Sequence, residues 1–372
     1  MPPRAKAQAN IGVGRFAYNP PVLNAGFSGG SRELRSRAAS SWVGKFGAVV
    51  DRAAFRPATL PDDLVIGLAL LPPIVAGLVI FKVRAAEMLA VAVAAGVVGM
   101  VVGQVLWRHQ RPRPGAGPLI AALFGVALVG AGASLTVSVE IVVLAVVLEL
   151  LRSRYIPAIR AQAGLIAFAA VTLAARNSTL VYFDPQGAAN FRDPIATWDQ
   201  LFHQSAWALD PIKLYVGDVP GPAFATSLLA VAVGVAWLAY ARRVSLVGLV
   251  AFFLGAVAAI WYFKWDALFQ LDSGPTWFVA GFLLANRRYL PESWALRPML
   301  AFAAGLFAVG LRKSGYGIEA AYMSVATLQA VMAVIVLAYF AASIGMERWK
   351  RARRLRQREA NLRVVKTISR AS

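Results

Sequence analysis

Residues 64–107 read LVIGLALLPPIVAGLVIFKVRAAEMLAVAVAAGVVGMVVGQVLW, and this stretch decides the class of the chain. Two long apolar runs, 64–82 and 87–107, flank the charged step KVRAAE (82–87). Each is close to the ~20 apolar residues that span a bilayer as a helix. Eight further apolar runs follow, at 118–133, 138–151, 161–175, 223–240, 245–263, 274–286, 297–311 and 320–343. Composition agrees. The chain is 59% hydrophobic and 15% charged with a mean hydropathy of +0.61, whereas soluble domains sit near ~45–50% apolar and about 25% charged. The sequence predicts an all-α polytopic membrane protein of about ten transmembrane helices. The short runs 161–175 and 274–286 are expected to be tilted, broken or re-entrant, which is tolerated only where protein or a cavity covers the backbone. The first long apolar run begins near Leu64, after a polar basic segment, so no cleavable signal peptide is expected.

Charge supplies an orientation. Residues 1–63 hold nine Lys/Arg and four acids, and residues 345–372 hold ten Lys/Arg and two acids. Ten spans put both tails on one side, and the positive-inside rule makes that side the cytoplasm. The connections on that side carry Arg152, Arg154, Arg242, Arg243, Arg287 and Arg288 among others, against Glu292 alone. The longest connection, 176–222, has five aspartates against Arg176, Arg192 and Lys213, and is expected outside. Residues 1–60 read as a cytoplasmic basic arm, partly disordered, with an amphipathic helix near Ser41 to Phe55. Residues 61–343 form the membrane domain, and 344–372 a basic, helical cytoplasmic tail with Trp349 as an interfacial anchor. A bacterial inner membrane is the expected location. Basic tails beside a bilayer meet anionic head groups, and no nucleic-acid motif is present.

The chain has no cysteine and two histidines, His109 and His203. Disulfides, thiolate metal sites and cysteine-ligated clusters are excluded. No metal site is read. His203, among Trp198, Phe202 and Trp207, reads as a packed loop histidine. Glu140 and Glu149 flank the fourth run, about half a turn out of phase on a helix, and read as interfacial rather than as an ion path. Trp261, Tyr262, Phe263, Trp265 and Trp277 read mainly as an aromatic belt.

Five runs precede the 176–222 connection and five follow it. An odd number per half inverts the second half (223–343) relative to the first (61–175), an arrangement found where a functional site lies between halves. The third and eighth runs correspond in order, and both are short and open on glycine: GAGPLIAALFGVALVGAG (115–132) and SGPTWFVAGFLLAN (273–286). At the start of the second half stands VPGPAFATSLLA (219–230). From residues alone, Thr226 and Ser227 cap the helix that follows, and Ser273 and Gly274 form a tight entrance to a short span.

The second half resembles the RnfD/NqrB family, membrane subunits of Rnf and sodium-pumping NADH:quinone reductase complexes. DPIKLYVGDVPGPAFATSLLA (210–230) is similar to the family's VGNxPGSxGETSALA. FQLDSGPTWFVAGFLLA (269–285) is similar to LLSGGLMLGAFFMATDP, and GLRKSGYGIEAAYMSVATLQA (310–330) to IRxxGGYPEGVAFAxLLMN. The resemblance covers 45–343 by layout and about 210–335 by motif, and is closer to stand-alone RnfD-like (UnbU-like) proteins than to core Rnf subunits. It implies FMN held by a phosphoester on Thr226, with Ser227 as an alternative attachment point and Ser273 and Gly274 lining the flavin pocket. A second, non-covalent flavin is compatible with it. Phe224-Ala225 stands where the family has Gly-Glu, Pro275 replaces the second glycine of SGG, and Glu319 matches the glutamate of PEG.

The leading expectation is a flavin-dependent electron-transfer subunit working with other subunits of a complex, since the chain has neither cysteines nor a GxGxxG-type nucleotide loop. The alternatives are a small-solute channel of urea- or ammonium-channel architecture and a cofactor-free scaffold for redox partners.

Overall fold

Each of the ten apolar runs carries a helix in the computed structural model, which describes residues 60–107, 115–183, 185, 190–191, 211–265, 271, 273–291 and 293–371. The basic arm with its helix near Ser41 to Phe55, and His109, Trp198, Phe202, His203 and Trp207, lie outside the described residues. The first two runs form α1 (Asp62–Leu106), which breaks at Lys82 (φ 48°, ψ −119°). A non-glycine residue at positive φ marks a real interruption, so two helices, 62–81 and 83–106, meet at the charged step.

The remaining helices follow in order: α2 (Gly117–Ala127), α3 (Leu135–Tyr155), α4 (Ala163–Ala174), the single turn α5 (Arg176–Thr179), α6 (Pro211–Val216), α7 (Leu228–Tyr240), α8 (Leu246–Phe263), α9 (Gly274–Leu284), α10 (Leu296–Lys313) and α11 (Glu319–Ala371). A two-residue pair, β1 (Tyr182–Phe183) and β2 (Asn190–Phe191), runs antiparallel with Tyr182 opposite Phe191. The described residues are therefore mostly helical. Among the described residues, three helices are long and apolar enough to cross a membrane by length and composition: α1, α8 and the 319–343 portion of α11. α2, α4, α7 and α9 are apolar but shorter. α9 ends as a π-helix over Val279–Leu284, continuous with the α-helical turn Gly274–Phe278. α11 runs on through the basic tail, where Trp349 is exposed.

Serines set several helix starts. Ser134, Ser227 and Ser245 accept from the N–H of Val137, Ala230 and Gly248 at 3.4, 3.3 and 3.3 Å. Each such cap contributes about 1 kcal/mol.

Alternate connections meet at opposite ends of the helices. At one end, Arg243 pairs with Asp62 (2.8 Å) and donates to the Leu60 carbonyl, Arg288 pairs with Asp63 (2.8 Å), and Arg160 donates to the Leu290 carbonyl. At the other end, Gly130 N donates to Thr179 O, Gly132 N to Val181 O, Ala131 N to Gly221 O, and Ala223 N to Val129 O. This second end also carries the start of α9 and the Arg176–Glu319 ion pair.

The two short glycine-led helices meet in the interior. Phe124 of α2 lies edge-on to Phe278 and Phe282 of α9 at 5.9 and 6.2 Å, and all three rings are fully buried. By contrast, Val79, Leu229, Val233, Val250, Leu254, Met299 and Val334 are exposed apolar side chains on outward helix faces. Exposed large apolar side chains on this many helices fit a lipid environment.

Small residues let helices approach closely. A Cβ on Gly305 of α10 would overlap the Phe252 carbonyl of α8, and one on Gly255 of α8 would overlap the Phe302 carbonyl of α10. Overpacking a close contact typically costs about 1–3 kcal/mol, and more where backbone must move. Gly305→Leu is therefore expected to lose about 3 kcal/mol or more, read as a large drop in the detergent melting temperature. Gly310→Leu in the same helix, where a Cβ meets no atom within 4 Å, should melt like the parent protein.

Candidate functional site

The turn before α7 is built on glycine. Gly217 has φ +94°, and a Cβ there would come within 2.6 Å of the Ser227 backbone. The segment 217–227 therefore doubles back, and Pro222 pairs with Gly130 beside it. Phe224 and Ala225 are core residues: Phe224 is 2% exposed and packs against Gly77 of α1. The pair that departs from the family's Gly-Glu thus serves to anchor the turn.

This folding brings the four predicted residues together. Gly274, at the start of α9, packs so closely on the Thr226 carbonyl that a side chain there would overlap it. Ser273 precedes it, and Ser227 follows Thr226. Thr226, Ser227 and Ser273 are 3%, 6% and 5% exposed.

The two hydroxyls at the helix start have different uses. Ser227 is the N-cap of α7: its Oγ accepts from Ala230 N and donates to the Tyr215 carbonyl at 3.4 Å. The Thr226 hydroxyl makes no hydrogen bond among the described residues, and neither does that of Ser273. Thr226 is therefore not the cap, which corrects the capping reading for that residue. The N–H groups of Leu228 and Leu229 likewise make no hydrogen bond among the described residues. A free hydroxyl beside unpaired N–H groups at a helix start is the donor set that a phosphate group needs. In this respect the residues fit an FMN phosphoester at Thr226.

Three partners were not legible in the sequence. Arg176, at the start of the 176–222 connection, pairs with buried Glu319 at 2.6 Å, donates to the Gly315 carbonyl at 3.0 Å, and lies 4.5 Å over the Tyr316 ring. Arg312 donates to Thr276 Oγ1 at 3.1 Å, tying α10 to the first turn of α9. Gly221 touches the Thr226 side chain. The glycine-tyrosine-glycine-glutamate motif of 315–319 is thus organised by an arginine 143 residues away, a separation that leaves no local signal.

No protein-family model matches the chain, and no curated protein matches it.

The other residues singled out fall as follows. Glu140 is exposed on α3. Glu149, read as interfacial, lies at the arginine-bearing end of the helices and is buried there, where Arg152 grips it with two bonds of 2.6 and 2.8 Å and Arg288 lies 3.8 Å away. Burial works against the Arg288 charge, and the neighbouring Tyr289, Asp63 and Glu149 more than offset it. Burial pushes the Tyr289 hydroxyl up to about 12, so it stays protonated near neutrality. Trp261 and Tyr262 are exposed, as belt residues should be, whereas Trp277 packs at a tilt on Phe253, with ring centroids 4.4 Å apart, and donates to the Leu271 carbonyl. Among the described residues no group of His, Asp or Glu forms a metal site.

Proposed function

We propose that the protein is a membrane-embedded, flavin-dependent electron-transfer subunit resembling RnfD. It passes electrons between a partner redox protein and a membrane or extracytoplasmic acceptor. The observation that carries this reading is the Thr226 hydroxyl: it sits at a helix start beside unpaired N–H groups, while Ser227 takes the capping role. Thr226 would hold FMN through its Oγ1, and the start of α7 would face the phosphate. Ser273 and Gly274 would fix the neighbouring wall. The flavin would supply the redox chemistry, and the protein its position and access. A second, non-covalent flavin is compatible with this reading. Other subunits of a complex would deliver and remove electrons, and membrane lipids would surround the apolar faces.

The architecture we propose is ten spans in two inverted five-helix halves, in a bacterial inner membrane, with both termini cytoplasmic. The alternation of connections between two ends of the bundle supports it, as does the gathering of Arg152, Arg160, Arg243 and Arg288 at one of them. A single cysteine introduced at Lys213 should be labelled by an impermeant maleimide in intact cells. One at Arg154 should be labelled only after permeabilisation. Both residues are exposed, and the reverse pattern would overturn the orientation.

One observation favours a second reading. Thr226 is enclosed by Gly221 and Gly274, which suits a cofactor-free scaffold. The buried Phe124, Phe278 and Phe282 cluster speaks against a solute channel, since it fills the space between the two short helices with apolar rings. Flavin fluorescence of the purified protein separates the readings: covalently retained fluorescence is expected here, and a colourless, functional protein would favour the scaffold.

A further inference from the structure

At the end of the helices away from Thr226, two arginine pairs are drawn together by backbone pairing. Val244 and Asn286 form an antiparallel bridge, Arg287 N donates to the Arg243 carbonyl at 2.8 Å, and Ser245 N to the Ala285 carbonyl at 2.8 Å. ARRVS (241–245), after α7, thus lies beside NRRYL (286–290), after α9. Between them and the start of α1 is a cleft of about 240 Å³, lined by Asp62, Ile66, Arg242, Arg243, Asn286, Arg287 and Arg288.

The polar groups of this cleft divide into two sets. Arg243 is committed to Asp62 and the Leu60 carbonyl, and Arg288 to Asp63. The Arg242 and Arg287 side chains are exposed, and neither guanidinium has an ion-pair or hydrogen-bond partner among the described residues. Asn286 is 2% exposed, and its Oδ1 accepts from Arg288 N at 3.0 Å, which fixes the amide's orientation. Its Nδ2 is then left buried without an acceptor among the described residues. A buried donor without an acceptor is costly unless something supplies one. Arg242 also holds the left-handed conformation (φ 58°) that closes the turn after α7, a position where glycine is the usual residue. A charged side chain thus stands where backbone geometry favours glycine.

We propose that this cleft binds a phosphate-bearing anion, with Arg242 and Arg287 clamping the phosphate oxygens and Asn286 Nδ2 donating to one of them. Guanidinium groups bind phosphate through paired, charge-assisted hydrogen bonds. Four arginines face one lining acid, so the cleft prefers an anion even with Arg243 and Arg288 already paired. The phosphate belongs either to a phospholipid head group or to a free phosphate. The site is independent of the flavin reading.

The test is native mass spectrometry of the full-length protein in detergent, titrated with a phosphatidylglycerol, a phosphatidylcholine and, separately, inorganic phosphate. Phosphatidylglycerol should bind wild type at least about tenfold better than the Arg242→Gln/Arg287→Gln variant, which loses two charge-assisted contacts. Both side chains are exposed and unpaired among the described residues, so the variant should melt like wild type. Arg154→Gln, at the same end but outside the cleft, should bind as wild type does. Displacement of the lipid by millimolar inorganic phosphate would identify a free phosphate as the ligand, and resistance to it a lipid head group. Equal binding by wild type and the double variant, an equal loss in Arg154→Gln, or no binding of phosphatidylglycerol, phosphatidylcholine or inorganic phosphate would overturn the proposal.

Discussion

Thr226→Val should abolish covalent flavin while leaving the melting temperature within a few degrees of wild type. Valine keeps the shape of threonine and removes only a hydroxyl. That hydroxyl makes no hydrogen bond among the described residues, so no structural contact is lost with it. The loss of attachment is expected to be complete, because no other atom of residue 226 can form the ester. Ser227→Ala supplies the opposite phenotype. Ser227 caps α7, and removing a cap costs about 1 kcal/mol, so this variant should melt lower yet keep its flavin. In-gel flavin fluorescence read beside thermal melting separates the two roles. Flavin retained in Thr226→Val and lost in Ser227→Ala would move the attachment point to Ser227.

Glu149→Ala is expected to be the most destabilising of the charge substitutions. Its carboxylate receives both Arg152 bonds and also faces Arg288, and the Glu149 and Arg152 side chains are 8% and 15% exposed. Removing one partner of a buried pair strands the other charge, at a cost of about 3–5 kcal/mol. The helix start at Gly117 is affected too, since a Cβ there would approach the Glu149 carboxylate at 2.8 Å. Glu140→Ala, on the exposed side of the same helix, should be nearly neutral. The pair is read by detergent melting temperature, and comparable losses in both variants would show that the Arg152 bonds contribute little.

The ten helices were legible because apolar runs long enough for a helix have few other outcomes in this composition. Their interruptions were partly legible. The charged step KVRAAE marks the break that the structure puts at Lys82, and the glycine-led 273–286 stretch becomes a short helix with a π segment. The division of labour between Thr226 and Ser227 was not legible, since either residue makes a good cap by type. Only the doubling back of 217–227, set by Gly217, puts Ser227 Oγ on Ala230 N. Long-range partners were also hidden. Arg176 was read as one charge in an acidic connection, whereas in the fold it neutralises Glu319. Glu149 was read as interfacial because it lies near one end of an apolar run and half a turn out of phase with Glu140. Its burial depends on Arg152 one turn along the helix and on Arg288 from α9's far connection. Pairings between distant segments are decided by helix packing, which periodicity alone does not encode.

The central claim, that Thr226 is a flavin attachment point, is tested most directly by the intact mass of the wild-type protein. The protein should be purified from its native host, or after co-expression with a flavin transferase, and digested to locate any added mass. The account predicts the added mass of one FMN moiety on the peptide that contains Thr226. An unmodified peptide in protein that still supports electron transfer would contradict it.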